Sequence, residues 1–93
     1  MVIGLLLLEL HIPGAESLKG KRQALRGMET RLRDRLNVSV AEVEHQNLWQ
    51  RARLAIVAVN TDQRHLDATL EAALKEAERA PLVEVLDVHR ESL

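Results

Sequence analysis

The sequence predicts an α+β domain in which four strands form one antiparallel sheet and two helices cover one of its faces. Two observations support this prediction. Four short segments rich in valine or leucine are bounded by turn signals. Two longer segments repeat apolar residues at the spacing of an amphipathic helix. The order is strand, helix, strand, strand, helix, strand, and a chain of 93 residues suits one compact domain, spanning residues 1–93.

The first strand is predicted over Val2–Ile12, an apolar run that alternates towards its end. Pro13 and Gly14 end it. Ser17 is a favourable N-cap for the first helix, and Asn37 is predicted to stop that helix in the left-handed conformation. The apolar residues that recur at helical spacing are Leu18, Leu25, Met28, Leu32 and Leu36.

A hairpin follows the first helix. Val38–His45 alternates and is rich in valine, which predicts the second strand. Gln46 and Asn47 form the turn. The alternation in Leu48–Val59 predicts the third strand.

The second helix begins at the turn residues Asn60, Thr61 and Asp62 and ends before Pro81. Leu82–Val88 is predicted to be the last strand. The apolar stripe of the second helix contains Leu66, Leu70, Ala73, Leu74 and Ala77.

Each helix carries one apolar stripe, so both are expected to cover the same face of the sheet. Right-handed crossovers then give the βαββαβ ferredoxin-like fold, an α/β sandwich with strand order 4-1-3-2.

Composition excludes several classes of function. The chain has no cysteine, which removes disulfides, thiolate metal sites and cysteine nucleophiles. The four histidines are not in a metal-binding spacing, so neither a metal nor a cofactor is expected. The apolar run at 5–8 is too short and too interrupted for a membrane span or a signal sequence. We therefore expect a cytoplasmic protein.

Positive charge is concentrated in the first helix, although the net charge of the chain is −1. Only Glu29 and Asp34 oppose the basic residues between positions 19 and 35. Such a segment indicates either an anionic partner or a matching acidic surface nearby. The basic residues are Lys19, Lys21, Arg22, Arg26, Arg31, Arg33 and Arg35.

On a helical wheel, four of these side chains fall within about 60° of one another. Asp67, Glu71 and Glu78 form an acidic ridge on the second helix. Two interpretations stay open: the two ridges face each other, or the basic ridge binds nucleic acid. The four clustered basic residues are Lys19, Arg22, Arg26 and Arg33.

In the predicted topology, the start of the first helix and the hairpin share one end of the molecule. A helix N-terminus also offers free N–H groups to an anion. We therefore expect an unpaired basic corner that binds phosphate or RNA backbone. Trp49 has a second interpretation, as a cap on the core with Arg51 stacked upon it. The candidate anion-binding residues are Lys19, Lys21, Arg22, Arg26, Arg33, Trp49 and Arg51.

The sheet face without helices should expose an apolar patch formed by Leu5, Leu7, Ala55 and Val57. Such a patch on a monomer marks an interaction site. We expect a homo-oligomer or a partner subunit at this face, and a structural or protein-interaction role without nucleic acid is the alternative function.

Catalysis is the remote alternative. The chain has neither a glycine-rich phosphate loop nor a nucleophile elbow, and Ser17 is better explained as a helix cap. A phosphate-ester enzyme built on the loop at 13–18 would need an arginine there, and the loop has none. We expect a non-enzymatic protein, and no small-molecule substrate is identified.

Three segments resemble the YlxP-like family, a bacterial family of unknown function: GLLLLELHIPGAESLKGKR, NVSVAEVEHQNLWQRARLAIVAVN and VEVLDV. The resemblance covers nearly the whole chain, and Gly20 departs from a usually polar position. It implies a ferredoxin-like fold and a gene neighbourhood shared with translation initiation and ribosome-maturation factors. That neighbourhood favours ribosomal RNA or the ribosome as a partner. It implies no catalytic residues.

Overall fold

The computed structural model describes residues 1–93 and has the predicted architecture. Its four strands form one antiparallel sheet in the order β2-β3-β1-β4, which is the predicted order counted from the other edge. Neither helix is long and apolar enough to cross a lipid bilayer. The elements are β1 (Val2–His11), α1 (Leu18–Arg35), β2 (Ser39–Glu44), β3 (Arg51–Asn60), α2 (Gln63–Arg79) and β4 (Glu84–Ser92).

The core lies between the helices and one face of the two central strands. In β1, Leu6, Leu8 and Leu10 are each at most 2% exposed, whereas the residues between them are half-buried on the opposite face. Leu54 of β3 pairs with Leu8 across the ladder and is fully buried. The period of two therefore assigns one side of each central strand to the core and leaves the other side uncovered.

Both helices begin at the predicted caps. Ser17 Oγ accepts a hydrogen bond from Gly20 N at 3.0 Å, and Asp62 Oδ1 accepts one from Arg64 N at 2.8 Å. The predicted left-handed stop at Asn37 is wrong, because α1 ends one residue earlier where Leu36 becomes extended. The Leu36 N–H still bonds the carbonyl of Leu32, so the last turn is closed without a left-handed residue.

Two strand boundaries differ from the prediction by three residues or more. β3 begins at Arg51 rather than Leu48, because the residues before it form the connection from β2. β4 runs over Glu84–Ser92 rather than ending at Val88, and it pairs with β1 as far as Gly4. Its second half is polar because β4 is an edge strand with most of its side chains exposed, which removes the apolar alternation that marks a strand in sequence.

Gly4 permits the close approach of α2 to β1. A Cβ atom on Gly4 would lie 2.7 Å from Leu70 Cδ1 and 3.2 Å from Leu66 Cδ2. Both leucines are at most 2% exposed, so neither side chain has free space to move into. The absence of a side chain at this position therefore sets the distance between helix and sheet.

We predict that Gly4→Ala destabilises the fold by about 1–3 kcal/mol, the usual effect of overpacking a core. Gly14→Ala is the matched control, because a Cβ atom there has no neighbour within 4 Å. Urea unfolding of both variants measures the difference. Equal free energies of unfolding for the two variants would show that α2 does not pack closely on Gly4.

Candidate functional site

A lysine of α1 is buried beneath the β2–β3 hairpin. Lys21 is 1% exposed, and its Nζ lies 2.8 Å from Glu42 Oε2. The same Nζ donates hydrogen bonds to the carbonyl oxygens of His45 at 2.8 Å and Arg51 at 3.1 Å. A buried ammonium is tolerated only where a carboxylate and hydrogen-bond acceptors replace its hydration. Lys21 therefore joins the start of α1 to both sides of the hairpin.

The contact between Lys21 and Glu42 is mainly electrostatic. Although the two charged atoms are 2.8 Å apart, Glu42 Oε2 has no donor aligned for a hydrogen bond. The directional hydrogen bonds of Lys21 go instead to backbone carbonyls of the hairpin. The position of the hairpin therefore depends on the backbone acceptors as much as on the carboxylate.

The turn of the hairpin contains the one non-glycine residue with positive φ, His45 at 66°. The left-handed conformation costs such a residue roughly 1–2 kcal/mol. Its carbonyl accepts hydrogen bonds from Leu48 N at 3.0 Å and from Lys21, and its ring Nε2 lies 2.8 Å from Glu9 Oε2. These contacts from three directions hold the unfavourable backbone geometry in place.

The hairpin is also attached to the segment that links β1 to α1. Ile12 N donates to Gln50 O at 2.9 Å, and Gln50 Nε2 donates to Ala15 O at 3.1 Å. Together with Lys21, these bonds bring the end of β1, the start of α1 and the hairpin to one end of the molecule. The predicted convergence of these segments is confirmed.

On the other face of the sheet, Glu9 is the centre of a second network. Arg51 Nη2 donates to Glu9 Oε2 at 2.7 Å, and Arg53 Nε donates to Glu9 Oε1 at 2.9 Å. Burial by itself raises the pKa of Glu9, but the hydrogen bonds from Arg53, Arg51 and His45 outweigh it and lower the pKa to about 2. The hydrogen bond to Glu9 also raises the pKa of the Arg53 guanidinium. Glu9 is therefore ionised throughout the neutral range.

Three residues predicted to be unpaired cations have partners, so the prediction is wrong for them. Lys21 is buried against the hairpin, and the Arg51 guanidinium binds Glu9 on the face opposite α1. Arg33 Nη2 donates to Val40 O at 2.9 Å, and its Nη1 lies 3.7 Å from the carboxylate of Glu29. The helical wheel identifies which residues share a face, but it does not show which neighbouring strand supplies an acceptor.

Charge is also neutralised between the helices, but through a different carboxylate from those predicted. Glu76 is 8% exposed, and its Oε1 accepts a hydrogen bond from Arg35 at 2.7 Å, with Arg31 at 3.9 Å from its other oxygen. The interpretation that the basic and acidic ridges face each other is wrong, because the contact with α2 is made by Arg31 and Arg35, on the other flank of α1. None of the predicted ridge residues, Asp67, Glu71 and Glu78, forms an ion pair with α1.

The other flank of α1 keeps its charge. Lys19, Arg22 and Arg26 are exposed, and none lies in an ion pair with a carboxylate. At the same end, Trp49 is 53% exposed in the hairpin, so its interpretation as a core cap is wrong. We call Lys19, Arg22 and Arg26 the α1 stripe.

The uncovered sheet face has an apolar half and a charged half. Leu5, Leu7, Ala55 and Val57 are half-buried there, at the positions predicted for an interface. Beyond them lies a shallow depression of about 480 Å³, lined by Leu7, Glu9, His45, Arg51, Arg53, Asp87 and His89. No three His, Asp or Glu side chains are grouped so as to hold a metal ion.

We predict that Lys21→Met lowers the free energy of unfolding by about 3–5 kcal/mol, because it leaves the Glu42 charge and two hairpin carbonyls without their partner. Lys19→Met is the matched control, since Lys19 is exposed on the same helix, and should change stability by less than about 0.5 kcal/mol. Chemical denaturation measures both variants. A Lys21 variant as stable as the Lys19 variant would contradict the structural role of Lys21.

We predict that Glu9→Gln destabilises the protein at neutral pH by an amount on the order of 2 kcal/mol, given half-exposed arginine partners. Because the pKa of Glu9 is lower in the folded state, its contribution is complete above the unfolded value of about 4.3 and is lost as the pH falls towards about 2. The stability difference between wild type and variant should therefore shrink between pH 5 and pH 2. A difference that does not vary with pH would contradict the assignment.

Comparison with known proteins supports the resemblance to the YlxP-like family over most of the chain. Residues 3–90 match the family described as "Protein of unknown function (DUF503)". The chain is also 34% identical over 83 residues to the uncharacterized protein YlxP of Bacillus subtilis (strain 168), which covers 89% of this chain and 90% of that protein. The resemblance to the YlxP-like family is thereby confirmed, and this chain belongs to the DUF503 family of proteins of unknown function.

Proposed function

We propose that this protein is a non-enzymatic, cytoplasmic binding module for the phosphate backbone of structured RNA, ribosomal RNA included. The observation that carries the proposal is the α1 stripe, Lys19, Arg22 and Arg26: three exposed cations on one helix flank without a carboxylate partner. The surface is narrower than the sequence predicted, because Lys21, Arg33 and Arg51 are engaged within the protein.

Most other basic side chains of the molecule are neutralised by carboxylates, whereas those of the α1 stripe are not. Eight of the 13 lysine and arginine side chains lie in ion pairs, which leaves five without one. Two of these five, Arg64 and Lys75, are on α2, and the other three form the stripe. Burial raises the pKa of nearby Glu29, and the charges of Arg33 and Arg26 do not outweigh that effect, so Glu29 opposes the charge of Arg26 only weakly.

The spacing of the stripe suits consecutive phosphates. Positions 19, 22 and 26 are three and four residues apart, which places them on one flank over about 10 Å of helix axis. One strand of B-DNA carries one charge about every 3.4 Å of axis, so a stripe of about 10 Å spans about three phosphates. The guanidinium groups of Arg22 and Arg26 also have the planar shape that binds phosphate oxygens in pairs.

The chemistry of this surface favours recognition of the backbone over recognition of bases. Sequence-specific binding of single strands uses several stacked aromatic rings, and Trp49 is the only aromatic residue in the chain. Because Lys21 fixes the hairpin beside the start of α1, the exposed Trp49 ring lies at the same end as Lys19. One ring there suits a single unpaired base at the edge of a structured RNA.

We predict that Arg22→Gln/Arg26→Gln weakens binding to a labelled ribosomal RNA fragment by about tenfold or more at 50 mM KCl. The loss of two phosphate contacts should also reduce the slope of log K against log[salt] by about 2. Fluorescence anisotropy titrations at 50, 100 and 200 mM KCl measure both quantities.

The matched control is Arg64→Gln/Lys75→Gln, which removes the same net charge from α2 and should change affinity by less than about threefold. If both double variants weaken binding equally, the protein attracts RNA through its net charge alone and the stripe is not a site. Absence of wild-type binding at 50 mM KCl would also contradict the proposal.

A further inference from the structure

We infer that the uncovered sheet face joins two copies of this chain into a homodimer, with a two-fold axis that runs along the strands between β1 and β3. The inference does not depend on RNA binding, because the sheet face and the α1 stripe lie on opposite layers of the molecule. Its basis is the pattern of apolar and charged residues that the strand register places on this face.

The apolar half of the face occupies the two central strands. Leu5 pairs with Val57 and Leu7 pairs with Ala55 across the β1–β3 ladder, so their side chains form two adjacent apolar rows. Val59, further along β3, is 52% exposed. Half-buried apolar side chains grouped on the two central strands, beside the exposed Val59, are typical of an interface rather than of a monomer surface.

The charged half continues the same two strands. Glu9 lies opposite Arg53 in the next row, and the two side chains are already bonded within one chain. The pair is half-buried, and it has opposite signs on the two central strands: positive on β3 and negative on β1. A second copy that presents its β1 to this β3 would therefore meet each charge with its opposite.

Only one orientation of the two-fold axis matches both halves. An axis along the strands places each row on the same row of the partner, with β3 over β1. The apolar rows then meet apolar rows, and Glu9 of each copy faces Arg53 of the other, while Arg51 and His45 stay bonded to Glu9 within their own chain. An axis across the strands would instead place Glu9 and Arg53 on the apolar rows, where their charges would be desolvated without partners.

The remaining carboxylates of the charged row are at the rim. Glu44 on β2 and Asp87 on β4 occupy the two edges of the sheet. The two-fold axis therefore brings Glu44 of one copy near Asp87 of the other. Both are exposed, and water and salt screen charges in that position. Their repulsion is therefore small compared with the burial of the central rows.

The face is large enough for a stable dimer. β1 and β3 contain 10 residues each, β4 contains 9 and β2 contains 6. At about 3.3 Å per residue and about 4.8 Å between strands, the face of one copy measures about 550 Å², or about 1,100 Å² for the pair. Specific interfaces usually bury more than about 1,000 Å² in total.

Sedimentation velocity of the full chain tests the inference directly. We expect wild type to sediment as a dimer at micromolar concentrations and Leu7→Arg to sediment as a monomer, because it places two cations at the centre of the face. Leu82→Arg is the matched control, since Leu82 is 63% exposed outside the sheet, and it should stay dimeric. Circular dichroism and urea unfolding establish that Leu7→Arg is folded, and Leu7→Ser, with no added charge, is a second variant expected to weaken the dimer.

The distance between spin labels on the two copies tests the orientation of the two-fold axis. The chain has no cysteine, so Thr61→Cys can carry a single spin label beside the end of β3 in each copy. An axis along the strands places the two labels at the same end, within about 25 Å, whereas an axis across them places the labels about 33 Å apart or more, given five residues of about 3.3 Å on each side of the centre.

A monomer at every concentration up to 1 mM, or a dimer that Leu7→Arg leaves intact, would overturn the inference, as would a label distance of 33 Å or more. RNA binding by the folded Leu7→Arg monomer separates the two proposals, because that variant keeps the α1 stripe. A monomer that still binds RNA supports the proposed function whatever the state of the wild type.

Discussion

The buried ammonium of Lys21 is the interaction on which the arrangement of this molecule most depends. It binds one carboxylate and two backbone carbonyls of the β2–β3 hairpin from the first turns of α1. Because a buried charge without partners costs several kcal/mol, the helix and hairpin cannot separate without exposing or neutralising it. Everything at this end of the molecule, including the exposed Trp49, takes its position from that contact.

The basic residues of α1 divide into four groups with different roles. Lys21 points inward to the hairpin, and Arg31 and Arg35 turn towards Glu76 on α2. Arg33 donates to the Val40 carbonyl of β2. The α1 stripe points to solvent. One amphipathic helix thereby contributes to tertiary packing, to contact between the helices and to a charged surface, because its successive side chains point in different directions.

Most of the fold could be predicted from the sequence. Alternation in Val2–Ile12 and Leu48–Val59 assigned the central strands, and the apolar stripes together with the rule of right-handed crossovers gave the strand order. The partners of single charges could not be predicted. Lys21 and Glu42 are 21 positions apart, and Glu9 and Arg53 are 44 apart, so only the register of the sheet brings each pair together. The length of the polar edge strand β4 was underestimated for a related reason. β4 extends by backbone pairing with β1, which leaves no apolar pattern in the sequence.

The cations of this protein therefore fall into those that build the fold and those that remain available to a partner. Lys21 belongs to the first kind and Lys19 to the second. The three lysines of the chain, at positions 19, 21 and 75, allow a direct measurement by NMR of the side-chain ammonium groups. We expect one slowly exchanging Nζ–H signal near neutral pH, assigned to Lys21 and connected to Glu42 and the hairpin, while the signals of the other two lysines are lost to rapid exchange. Three ammonium groups that exchange equally fast would contradict this expectation.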